Sequence, residues 1–378
     1  MTVTMAPRHL LTLVLGLAVM LVTAGCDVEE LVLERLNVNA SVNVDMSDPD
    51  ASETVTSDIP FSGQRVVVDN PIGHIAIETV DDPGYVAVRP MLHIEATKNV
   101  KGMDLADLQI QTTRTPEETR IRVTTTIESA RNEADPNGSR GDEERIGWVD
   151  FKIRLPEAAL VTLRQNAGSI VVSNFRGELT AATDLGEIEV RNAAAAEMNL
   201  RTELGSLSVA DSTIDGDLIM ESTAGEAKLT NVQFGQAEID TQAGDVDVKG
   251  ARGQSLEVVT QMGEIDVVDA DVARLDLSSQ MGEIGLHDSR VTQGDLRTQW
   301  GEINVRLPSG AVPRIRASTQ AGGVDVFRLP ISLRSALQQR GSWLGEGIEL
   351  TPAGAQATLD LKTQLGDIRI VFPESRSL

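Results

Sequence analysis

A glycine returns along this chain at an almost fixed interval. It stands at Gly168, Gly186, Gly205, Gly225, Gly244, Gly263, Gly282, Gly301 and Gly322, mostly 19 residues apart, and again at Gly366. Each opens a short run of alternating apolar and polar residues, as in Gly263-Glu264-Ile265-Asp266-Val267. A fixed period near 20 without helical spacing describes stacked coils, each burying its apolar face against its neighbours. The expected fold is all-β: a parallel β-solenoid with coils of about 19 residues and two main strands per coil.

The columns of the repeat assign the parts of a coil. Two and four residues after each glycine the chain is apolar, as at Ile188 and Val190 or Ile303 and Val305. Period-two alternation points both into the coil. Three residues before the glycine stands a hydroxyl: Thr183, Thr202, Ser222, Thr241, Thr260, Ser279, Thr298, Thr319 and Thr363. It ends a second strand with apolar inward positions such as Leu275 and Leu277. The glycine marks a corner where a residue without Cβ reaches backbone conformations closed to others. Polar stretches such as Val268-Asp269-Ala270-Asp271 form the opposite corner.

The ends depart from the repeat. Residues 1–25 read as a lipoprotein signal peptide: Arg8 and His9 precede the apolar run Leu10 to Val22, too short for a membrane span. Thr23-Ala24-Gly25-Cys26 resembles the bacterial lipobox, although Thr23 stands where leucine is usual. That resemblance implies cleavage before Cys26 and a lipid on its thiol. Residues 26–60 are expected to be an acidic tether, because Asp45 to Ser57 holds too little apolar surface to fold. Residues 61–160 hold a first coil around Gly73 and a β-hairpin insertion, Leu108 to Thr113 with Thr119 to Thr124. The regular solenoid spans 161–326. Residues 327–378 form a C-terminal capping segment with a short amphipathic helix, Leu329 to Gln339, and the last coil.

Several of these sequences together resemble a known family. They are Asn70-Pro71-Ile72-Gly73-His74-Ile75, Leu155-Pro156 before the first regular coil, the repeated Gly-Asp/Glu-Ile-x-Val, and Gly366-Asp367-Ile368-Arg369-Ile370. They look like the "putative adhesin" domain of bacterial envelope β-solenoid proteins, over roughly residues 60 to 373. The resemblance implies the solenoid fold and an envelope location. It supplies no catalytic residues.

Composition narrows the partners. A formal charge of −24 repels nucleic acid and anionic lipid headgroups and favours cations or basic partners. Cys26 is the single cysteine, so no disulfide framework and no thiolate metal cluster is possible. No cofactor is expected, and the membrane is met through lipid on Cys26.

The candidate sites are columns of the stack. One residue after the glycine stand Glu187, Glu226, Asp245, Glu264, Glu283, Glu302 and Asp367. Asp245, Asp247, Glu264 and Asp266 should cluster on adjacent coils, where they form either a solvated face or a calcium site. Just before the glycine stand Met262, Met281 and Trp300, which are core if the corner turns inward and a binding ridge if it turns outward. Gln242, Gln261, Gln280, Gln299 and Gln320 read as an amide ladder. Arg140-Gly141-Asp142 matches an integrin-recognition tripeptide of the kind that arises by chance. The reading is a non-catalytic, lipid-anchored envelope protein, a scaffold or adhesin-like module that presents a stiff face to a protein or glycan. A periplasmic sensing module and a polysaccharide-active enzyme are the alternatives.

Overall fold

The computed structural model describes residues 46, 48–63, 65–80, 90–125, 145–156, 158–341 and 345–373. The chain divides into two compact units, Met1–Ser47 and Asp48–Leu378. The signal segment, Cys26 and Arg140-Gly141-Asp142 lie outside the described residues.

Among the described residues, two sheets carry the fold, one of 14 strands and one of 15. Each regular coil gives one long strand to the larger sheet and one short strand to the smaller. In the coil of Gly263 these are Arg252–Met262 and Ile265–Val268. Leu256, Val258 and Thr260 point inward from the first, and Ile265 and Val267 from the second, all within 1% of full burial. Successive coils pair in parallel and in register, Val258 with Leu277 and Ile265 with Ile284. The core is therefore a stack of aliphatic rungs. Each buried Leu, Ile or Val stabilises the stack by roughly 1.5–3 kcal/mol relative to exposure, which explains how a chain with only 3% aromatic residues folds.

The opposite corner holds a second column that the sequence reading left unused. Asn174, Asn192, Asp211, Asn231, Asp269 and Asp288 all adopt left-handed backbone with φ between 49° and 54°. Asn and Asp reach this region more readily than other residues with a side chain.

At the N-terminal end the hairpin is present: Leu108–Arg114 and Glu118–Thr125 pair antiparallel and extend the larger sheet beyond the first coil. Ile146–Leu155, Met91–Lys101 and Ala51–Pro60 extend the smaller sheet in that order. The last of these corrects an expectation. Residues 51–60 are not tether but a ten-residue strand paired over its whole length with Met91–Lys101. Its side chains are mostly exposed, so its partner, not its composition, makes it a strand.

At the C-terminal end the chain order and the stack order differ. The last coil, Thr358–Leu365 and Ile368–Val371, does not close the stack. It lies between the coils of Gly301 and Gly322, parallel to both. The connection explains how. Two residues separate Ile284–His287 from Arg290–Trp300, but seven, Leu307 to Pro313, separate Ile303–Arg306 from Arg314–Ala321. The longer link climbs two coil heights and leaves a slot. Residues Leu329 to Gln339, expected as a helix, split into the short 3-10 helix Ile331–Ala336 and the strand Leu337–Gly341. That strand pairs with Glu346–Leu350 into an antiparallel hairpin that covers the exposed edge of the larger sheet.

Candidate functional site

The glycine corner organises the surface beside it. All ten repeat glycines have φ between 127° and 156°. They are also crowded. A Cβ on Gly263 would lie 2.1 Å from the carbonyl oxygen of Gly244, and one on Gly301 2.0 Å from that of Gly282. Each glycine thus rests its Cα on the carbonyl of its neighbour in the stack. The buried hydroxyl column binds the same carbonyls. Thr298 donates to Gly282 O at 3.0 Å, Thr363 to Gly301 O at 3.1 Å and Thr319 to Gly366 O at 3.0 Å. In the first regular coil Gln165 takes this place and donates to Gly73 O.

This tight bend decides where the preceding residue goes. The sequence left Met262, Met281 and Trp300 between core and ridge, and the structure puts them at the edge. Trp300 is 45% exposed, and the two methionines are half-buried. They stand in register, Met262 beside Met281 and Met281 beside Trp300. The neighbour beyond Trp300 is not Ala321, the next in sequence, but Leu365 from the inserted coil, 42% exposed. Leu204, 43% exposed, lies on the same line four coils from Met281, with Ala224, Ala243 and Met262 between. The inserted coil also brings Gln364 between Gln299 and Gln320, and Asp367 next to the row ending at Glu302. From Gly244 to Gly366 every coil therefore shows the same edge: a glutamine, an apolar residue, the glycine and a carboxylate.

The carboxylates are on one face, yet they do not converge. Asp247 and Asp266 pair in register. Asp245 accepts a hydrogen bond from the Glu264 backbone N–H at 2.8 Å. Asp247 lies 3.6 Å from the Lys228 ammonium, which also holds Glu226 at 2.8 Å. Asp266 faces His287 Nε2 at 3.5 Å, in space kept open by Gly285. Among the described residues no group of three or more His, Cys, Asp or Glu side chains is arranged to hold a metal ion. Asp245, Asp247 and Asp266 thus engage separate partners rather than converge on one point.

Their mutual repulsion persists. Burial pushes the Glu264 carboxyl above its usual range, and Glu283, Asp245, Asp266 and Asp247 push it further the same way. Asp247 is raised by burial and by its hydrogen bond with Glu226, against the pull of Lys228. Glu226 is lowered, chiefly by its hydrogen bond to Lys228. Stacked at about 4.8 Å per coil, the row is an anionic rail beside the apolar ridge.

The sequence puts Leu365 in the column just before the glycine but does not show that it stands beside Trp300, and Gln364 was missed as a member of the glutamine column. The only signal was the length of the Leu307 to Pro313 link.

The fold can be compared with known proteins. No curated protein matches the sequence. A solved structure described as a "putative lipid binding protein" from Parabacteroides distasonis is 11% identical, covers 86% of this chain and 99% of its own, and has a TM-score of 0.41. A "putative adhesin" from Bacteroides fragilis is 12% identical, with coverage of 85% and 97% and a TM-score of 0.33. A "putative cell adhesion protein" from Clostridium sporogenes is 9% identical, with coverage of 85% and 100% and a TM-score of 0.20. These likenesses carry no argument about ligand or partner. The family model described as Toastrack DUF4097 matches residues 149–371, more than half of the chain and all of its regular coils. The chain belongs to the Toastrack DUF4097 family.

Proposed function

We propose that this protein is a non-catalytic binding module of the bacterial cell envelope, tethered by a lipid on Cys26, and that the glycine-corner edge is its binding surface. One observation carries the reading: Met262, Met281, Trp300 and Leu365 stand in one in-register row at the surface. Apolar surface left in water forgoes about 25 cal/mol per Å². The coils of Gly225 and Gly244 put alanine at the same position, so the larger residues are not needed to build a coil. A rigid repeat also holds them without the ordering cost a flexible loop would incur on binding.

The test is a photo-crosslinking amino acid placed at Met281 or Trp300 in intact cells, with Val171 on the outer face of the smaller sheet as control. The reading expects capture from the edge positions only. Equal capture from Val171, or none from the edge, would contradict it. Protease shaving of the same cells decides between an adhesin-like role on the outer surface, where the rod is released, and a periplasmic scaffold or sensing role, where it is protected.

A further inference from the structure

We propose that the glycine-corner edge receives a basic amphipathic α-helix of a partner protein, laid along the coil axis with its apolar stripe on Met262, Met281, Trp300 and Leu365. The inference rests on the edge being a binding surface and names the chemistry of what it binds.

Charge supplies the first argument. Asp245, Glu264, Glu283, Glu302 and Asp367 run two residues beyond the ridge position, across the glycine and on the side of the smaller sheet. Two unit charges about 5 Å apart repel by nearly 1 kcal/mol even in water. A cationic flank relieves that repulsion. A second copy of this chain, which carries −24, would add to it. Anionic lipid and nucleic acid are repelled for the same reason.

Pitch supplies the second. Ridge residues recur about every 4.8 Å. A helix presents one apolar position per turn of about 5.4 Å. A strand presents one per residue pair, about 6.8 Å. Over the three intervals from Met262 to Leu365 the row is about 14 Å long, against about 16 Å for a helix and about 20 Å for a strand. The helix keeps contact with all four residues, and the strand loses register by the third. Flexible, polarisable methionines absorb the residual mismatch.

The test uses the full chain and two synthetic 18-residue peptides of identical Lys and Leu content. In one, the leucines follow helical i, i+3, i+4 spacing. In the other, they alternate with lysine. Binding is followed by the emission of Trp300, assigned by its loss in Trp300→Phe. The helical pattern should bind with a blue shift and at least tenfold more tightly than the alternating one. Affinity should fall at least tenfold in Met281→Ser/Leu365→Ser and, separately, in Glu264→Gln/Glu283→Gln/Glu302→Gln. Thermal melts of both variants confirm that the coils are intact. Equal affinity for the two peptides, binding indifferent to Met281→Ser/Leu365→Ser, or no binding would each overturn the proposal. If the peptides fail while crosslinking from Trp300 still captures a partner, the helix is wrong and the binding edge stands. If both fail, both are wrong.

Discussion

The two corners of a coil both use positive φ but treat side chains differently. At Gly263 φ is +150° and a Cβ would lie 2.1 Å from a backbone carbonyl oxygen. At the opposite corner φ is near 50°, and six coils place Asn or Asp there. The coil of Gly244 uses Gly250 with φ 66° at that position, where a Cβ would meet only the side-chain oxygen of Asn231 below 3 Å. One corner is therefore closed both by conformation and by contact with fixed backbone. The other is constrained by conformation alone. Crowding, more than the sign of φ, makes the glycine column invariant within the chain and fixes the ridge beside it.

The largest effect expected from breaking this contrast is at the crowded corner. Gly263→Val should cost about 4 kcal/mol or more, the range reserved for backbone strain combined with a buried clash. Asn231→Ala at the open corner should cost about 1 kcal/mol, the left-handed penalty that Asn partly escapes. Thermal or denaturant unfolding of the two variants compares them directly, and equal losses would erase the distinction between the corners.

Removing the hydroxyl that holds the crowded corner should have an intermediate effect. Thr298→Val leaves the Gly282 carbonyl without its 3.0 Å partner. The expected loss is about 1–2 kcal/mol, with Trp300 emission shifted because its supporting bend is loosened.

The smallest effect sits on the anionic rail and has a definite pH sign. Folding raises the Glu264 pKa through burial and its acidic neighbours. The folded chain therefore binds that proton more readily than the unfolded chain. The associated stability is fully present below the ordinary carboxylate pKa and is lost as pH rises through the raised one. Glu264→Gln should stabilise by less than about 0.5 kcal/mol at pH 7. That gain should vanish as pH falls toward about 4.3. A gain independent of pH would mean that repulsion along the rail is not its source.

The regular coils were legible because each column repeats with one chemistry: apolar at Ile265 and Val267, hydroxyl at Thr260, glycine at 263. Other features were not, for identifiable reasons. Period-two alternation fails at a bend, so it could not say whether Met281 faces in or out. The strand Ala51–Pro60 has the composition of a tether and owes its form to Met91–Lys101, some 40 residues away. The last coil announced itself through Gly366-Asp367-Ile368 but not its place, since parallel coils share one pattern and any of them fits any slot. Only the seven-residue link with Pro308 and Pro313 marks the skipped height.

The order of coils is what makes Leu365 part of the edge, and disulfide trapping tests it most directly. Past Cys26 the chain has no cysteine, so introduced pairs report cleanly. Gln299→Cys with Gln364→Cys places two thiols on adjacent coils about 4.8 Å apart, within the reach of a disulfide. Gln299→Cys with Gln320→Cys places them two coils apart, at roughly twice that distance. Under mild oxidation the first pair should close and the second should not. Closure of the Gln299/Gln320 pair with none at Gln299/Gln364 would put the last coil at the end of the stack, and the ridge would stop at Trp300.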